Sequence, residues 1–188
     1  MKTVTVLVGS ERKGSINLAL ARAIEKLAAG RMKFKFIPLG DLPMYNDDLW
    51  ATPPASVVAF KEVIAQSEAI LFVTPEYNRT IPPLLANAIS WASKPYGKNV
   101  WVGKPVAITG TTPGALGTAV AQSHLRYVAT VLDMIVLGQP EVYFQMKPGL
   151  IDENADVTDE TTRAFLQAFV DKFDAFLDRV ALPVAETA

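Results

Sequence analysis

The chain has no cysteine and a single histidine, His124. The first absence excludes disulfides, thiolate nucleophiles and cysteine-ligated metals. The second leaves no His-rich metal site, and any Ser-His-Asp triad would hang on one residue. An excess of charge of one sign is also missing: 18 Lys and Arg stand against 19 Asp and Glu, a formal net charge of -1. Neither a nucleic acid nor a membrane surface has an electrostatic attraction to exploit. No apolar run approaches the roughly 18 residues that cross a bilayer, and the apolar start Met1–Val8 is too short for a signal sequence. The expectation is a cytoplasmic protein without a metal, whose chemistry is carried largely by a bound cofactor.

What is present is a hydrophobic half in 188 residues, enough for one sizeable core and cramped for two. We expect one domain over residues 1–180 and a flexible tail over 181–188. Short β-branched runs alternate with helical periodicity. Thr3–Val8, Phe34–Pro38, Ala69–Thr74 and Pro105–Thr109 read as strands, and a fifth lies at Met134–Leu137 and resumes at Glu141–Phe144 after Pro140. Helices are expected at Ser15–Ala29, Ser56–Gln66, Leu84–Ser93 and Thr118–Leu132. A last helix is capped by Thr158, with Phe165, Phe169, Phe173, Phe176 and Val180 as its apolar stripe. Strands that alternate with helices imply a parallel sheet covered on both faces, with ligands bound beyond the C-terminal strand ends.

Three loops fall on that edge. Strand one runs into Gly9-Ser10-Glu11-Arg12-Lys13-Gly14-Ser15-Ile16-Asn17 and then a helix. A helix N-terminus exposes unpaired N–H groups and partial positive charge, so it accepts a phosphate. Ser10, Ser15 and Asn17 can donate, and Arg12 offers a charged fork. There is no GxxxxGK[ST] and no GxGxxG. The plain alternative is a turn with a serine cap; its place after strand one favours the phosphate. Strand three is followed by Thr74-Pro75-Glu76-Tyr77-Asn78-Arg79-Thr80-Ile81-Pro82, and strand four by Thr109-Gly110-Thr111-Thr112-Pro113-Gly114-Ala115-Leu116-Gly117. Together they suit an elongated ligand with a phosphate at one end.

G-S-x-R-x-x-S-x-N after strand one, with P-E-Y-N after strand three, resembles the NADPH-dependent FMN reductase family of flavodoxin-like proteins. Stretches similar to Asp41-Leu42-Pro43…Tyr45-Asn46-Asp47-Asp48 and Trp91…Pro95-Tyr96-Gly97 bring it nearest the bacterial soluble quinone, chromate and ferric reductases. The resemblance spans roughly residues 3–180. It implies a flavodoxin-like three-layer sandwich: a five-stranded parallel sheet with helices on both faces.

It further implies that Ser10, Arg12, Ser15, Ile16 and Asn17 hold the FMN phosphate end. Pro75, Glu76, Tyr77 and Asn78 would lie along the ribityl chain and ring, and Thr111, Thr112 and Gly114 on its pyrimidine side. NADPH or NADH would be co-substrate, with Arg79 and Lys94 as candidate contacts for its phosphates. Quinones, chromate, ferric complexes, azo dyes and flavins would be acceptors, reduced in alternating half-reactions. No side chain is assigned a catalytic role, because flavin N5 carries the chemistry. A homodimer or tetramer is implied, with the flavin pocket at an interface that the Tyr45–Trp50 loop helps complete. Plain readings stand beside these: Glu76, Arg79 and Lys94 as surface charges, Tyr77 as a core aromatic, His124 as packing or interface. The competing function is a flavodoxin-type electron carrier without turnover of its own, which the near-neutral charge does not favour.

Overall fold

The computed structural model describes residues 1–180. Its strands are β1 (Lys2–Val8), β2 (Met32–Phe36), β3 (Ala69–Val73), β4 (Pro105–Thr112), β5 (Ile135–Val136) and β6 (Val142–Gln145). Its helices are α1 (Ile16–Leu27), α2 (Ala55–Gln66), α3 (Pro83–Ser93), α4 (Ala119–Val131) and α5 (Glu160–Val180). All pairings are parallel, in the order β2-β1-β3-β4-β5, with β6 also paired to β4. This is the flavodoxin-like sandwich. The segments β5 and β6 are one fifth strand interrupted between Leu137 and Glu141, where Pro140 removes a ladder donor.

Strand residues alternate between two cores, as the pleat requires. Val4, Val6 and Val8 of β1 and Leu71 and Val73 of β3 face α1 and α5; Leu7, Ile70 and Phe72 face α2, α3 and α4. With both faces covered, the strands are apolar throughout. Trp91 and Trp101 are both fully buried, the second beside Phe72 at 5.8 Å between ring centroids.

Four details differ from the sequence reading. β2 begins at Met32 and stops at Phe36, matched to the register of β1. β4 continues to Thr112, because β6 pairs with Thr109–Thr112 and keeps that stretch extended. Gly110 permits this: the Thr74 carbonyl oxygen lies 2.0 Å from where a Cβ would stand. The cap of α5 is Asp159, whose carboxylate accepts the Thr162 N–H at 2.7 Å; the Thr158 hydroxyl instead donates to the Gly149 carbonyl. Phe165 is 40% exposed, and Leu166, Val170 and Leu177 complete the buried stripe with Phe169, Phe173 and Phe176. The expected tail over 181–188 lies outside the described residues. Among those described, no helix is long and apolar enough to cross a membrane.

Candidate functional site

The chain leaves β1 toward β2 on one side and β3 on the other, so the C-terminal ends of β1 and β3 flank the switch point of the sheet. A cavity of about 180 Å³ opens there. Ser10, Arg12, Ile16 and Asn17 line it from the first loop, Pro75, Glu76 and Tyr77 from the loop after β3, and Thr111, Thr112 and Pro113 from the end of β4. A second cavity of about 320 Å³ shares Glu76 and Thr112 and adds Asn78, Arg79, Gly114, Ala115 and Leu116. A third, of about 380 Å³, shares Arg12, Ile16 and Pro113 and reaches Lys147 and Pro148 beyond β6. The result is a trough along one sheet edge.

The first loop is shaped for an anion. Among the described residues, the backbone N–H groups of residues 10–14 donate to no protein acceptor; Ser10 is buried and residues 11–14 are exposed, so these donors are open to an incoming anion. Ser15 is the N-cap of α1: its Oγ accepts the Leu18 N–H at 3.3 Å. It does not line the trough. Arg12 is exposed and makes no hydrogen bond or ion pair among the described residues, leaving its five donors free. Asn17, which lines the cavity, is also bonded to the backbone of the fourth loop. Its Nδ2 donates to the Thr111 carbonyl at 3.0 Å and its Oδ1 accepts the Thr111 N–H at 3.0 Å. It ties the start of α1 to the end of β4, so the Thr111 N–H is also engaged.

The second loop is a tight hairpin. Tyr77 and Thr80 exchange both backbone hydrogen bonds, at 3.1 and 2.9 Å, around Asn78 and Arg79 at φ 49° and 61°. Two positive φ values make a type I′ turn, natural for Asn and costly by about 1 kcal/mol for Arg. Two side-chain links hold it. Glu76 Oε1 accepts from Arg79 at 2.9 Å, while Oε2 accepts the Val120 and Ala121 N–H groups at 3.0 Å each. Thr118, at the start of α4, makes no side-chain cap, so Glu76 supplies that cap from another loop. Burial alone would raise the Glu76 pKa, but the Ala121 N–H, the Arg79 guanidinium and the Val120 N–H outweigh it and hold the carboxyl below its ordinary range. The second link joins Thr80 Oγ1 and His124 Nδ1, 3.0 Å apart. His124 is exposed, and Tyr77 stands half exposed at the mouth of the trough.

Of the expected site residues, Ser15 and Lys94 are the two not brought to the trough. Lys94 follows the last residue of α3, a helix of 11 residues, which carries it about 16 Å toward the opposite sheet edge. The Tyr45–Trp50 loop is pinned to α3 by the Asn87 side chain, which accepts the Tyr45 N–H, and by the Trp91 indole, which donates to Pro43. Pro113, Ala115 and Leu116 belong to the expected edge loop but carry no role of their own in the sequence reading, and sequence reasoning missed Lys147–Pro148, which follow a strand of the same sheet. It also missed Glu11, whose partners lie 28 and 29 residues away.

Residues 2–149 match the family model for NADPH-dependent FMN reductase. The chain is 47% identical over 174 residues to a 2-hydroxy-1,4-benzoquinone reductase of a Burkholderia species, covering 93% of this chain and 95% of that one. It is 44% identical over 176 residues to a quinone reductase of Pseudomonas putida, covering 93% and 94%. Among solved structures, FerB, a flavoenzyme NAD(P)H:(acceptor) oxidoreductase of Paracoccus denitrificans, superposes with a TM-score of 0.94 at 46% identity, covering 97% of this chain and all of that one.

Proposed function

Because the chain belongs to the NADPH-dependent FMN reductase family, we propose that it holds FMN in the trough and passes electrons from NAD(P)H to quinone-type acceptors. The observation that carries this reading is the set of five unpartnered N–H groups at residues 10–14, beside an Arg12 free of partners among the described residues, opening into the trough. A phosphate monoester fits that donor set: the Glu11 carboxylate is turned away onto Leu39 and Gly40, and the Glu76 carboxylate that lines the trough is engaged by Arg79 and by the Val120 and Ala121 N–H groups.

Ser10, Arg12 and the loop N–H groups would grip the phosphate, with Ile16 against the ribityl chain and Asn17 bracing the loop from behind. Pro75 and Tyr77 would border the ring, with Thr112 and Gly114 toward its pyrimidine side. When bound, FMN supplies two-electron redox chemistry, taking a hydride equivalent from the nicotinamide and giving electrons to the acceptor in a separate half-reaction. Arg79, held at the trough by Glu76, offers a cation for the dinucleotide's phosphates. The residues' task is to orient, leave one ring face open and limit water.

The benzoquinone reductase of the Burkholderia species and the quinone reductase of Pseudomonas putida support the quinone class; chromate, ferric complexes, azo dyes and flavins are further acceptors of this reading. We also read the protein as a cytoplasmic homodimer. His124, Tyr127 and Val131 share one face of α4, and Tyr127 and Val131 are 73% and 66% exposed, the kind of apolar exposure that marks an interface. Light scattering on an eluting gel-filtration peak tests this, and a monomer mass overturns it.

The decisive experiment starts from protein reconstituted with FMN. Its oxidised-flavin absorption should bleach on anaerobic addition of NADPH and return with 1,4-benzoquinone. Steady turnover should give parallel initial-rate lines. Bleaching without turnover would favour the electron carrier, and no FMN uptake would end the proposal.

A further inference from the structure

The phosphate loop carries a carboxylate of its own, which ought to repel a phosphate. Glu11 sits between Ser10 and Arg12, yet its Oε1 accepts the Leu39 N–H at 2.6 Å and the Gly40 N–H at 2.7 Å. These are short, charge-assisted bonds to two successive amides. Gly40 is what lets the carboxylate in: a Cβ there would stand 2.1 Å from Glu11 Oε2 and 3.1 Å from Cδ. The loop after β2 therefore offers a two-donor seat whose floor must be glycine.

We propose that this Glu11–Leu39–Gly40 seat is a positioning device for the phosphate loop, and that it sets the affinity for the phosphate of the bound mononucleotide. The inference rests on the FMN reading above. It follows from two effects of one bond pair. The backbone N–H groups of residues 10–14 have no partner among the described residues, so without a tether much of the loop must be ordered when the anion arrives, at a cost in backbone entropy. The seat also draws the Glu11 charge to the far side of the loop and pairs it with N–H dipoles. Arg12 and the free amides are then left to present an unopposed positive face.

The seat makes Gly40 and Glu11 a coupled pair with an unusual signature. In Gly40→Ala the new methyl meets only the tip of a flexible side chain, so the fold accepts it and the carboxylate is expelled. The expelled carboxylate is free to face the phosphate. Glu11→Ala removes both tether and charge. Glu11→Gln keeps an acceptor oxygen for the seat without the charge.

The test measures FMN and riboflavin dissociation constants by quenching of flavin fluorescence on wild type, E11A, E11Q, G40A and the double variant E11A/G40A. E11A should weaken FMN about tenfold, and G40A at least as much. The double variant should equal E11A, because the alanine at 40 has nothing left to displace. E11Q should stay within about threefold of wild type. Riboflavin, which lacks the phosphate, should bind all five proteins alike. A G40A that binds FMN as wild type does, or a further additive loss in the double variant, overturns the proposal. So does an equal loss for riboflavin, which reports general damage. Wild-type protein that takes up neither flavin refutes instead the reading on which the proposal rests.

Discussion

Arg12 on the first loop and Asn17 in the first turn of α1 stand five residues apart and do opposite work. The Asn17 side chain is buried and engages the Thr111 backbone at both ends; the Arg12 guanidinium is bonded to nothing among the described residues. Asn17→Ala would leave a buried N–H and C=O without partners, at a cost of about 2–3 kcal/mol. Urea unfolding of the apoprotein should show that loss. Arg12→Ala should leave apoprotein stability within about 0.5 kcal/mol and appear instead as a weaker FMN dissociation constant. The reverse pattern would exchange their roles. A motif in one sequence names both residues as polar groups near a phosphate. It cannot say which way an amide turns, because the partner that turns Asn17 is 94 residues away.

Elements were legible where periodicity was long and obscure where a distant partner decided the ending. The strand–helix alternation and the split fifth strand follow from β-branched runs and from Pro140. The length of β4 does not, since Thr109–Thr112 carries Gly and Thr and is extended only because β6 pairs with it. In α5 a phenylalanine every three or four residues reads as one stripe, yet the helix rotates Phe165 out of it. Phe169→Ala should cost about 3–5 kcal/mol and Phe165→Ala less than about 0.5 kcal/mol, by chemical denaturation; equal costs would mean that the helix sits otherwise. The hairpin at Tyr77–Thr80 and the start of α4 form a second unit through Glu76. Its carboxyl is depressed in the folded state, so its stabilisation is present at neutral pH. That stabilisation is lost as pH falls from the ordinary glutamate value, about 4.3, through the lower folded one. Glu76→Gln should therefore lose about 1–2 kcal/mol at pH 7 and converge with wild type in acid. A constant gap across pH would place the effect in packing.

At the scale of the whole molecule, the trough is assembled from loops that the sheet brings together and that local sequence cannot join. Its parts come from Ser10, Pro75, Thr111 and Lys147, far apart in the chain, and each loop is held by a bond to another: Asn17 to Thr111, Glu76 to α4, Glu11 to Leu39 and Gly40. A ligand that touches several such loops should stabilise the entire fold, because it binds the folded chain and has no site on the unfolded one. At a free FMN concentration of about 100 times its dissociation constant the gain is about 2.7 kcal/mol. For a chain of this length that raises the unfolding midpoint by roughly 5–10 °C. Calorimetry in apo and FMN-loaded protein should show one transition moving as a unit, since the links above couple the loops to both faces of the sheet. A second, unshifted transition would mean that the trough melts independently of the cores beneath it, and that the ties among its loops are too weak to carry the ligand's energy into the sheet.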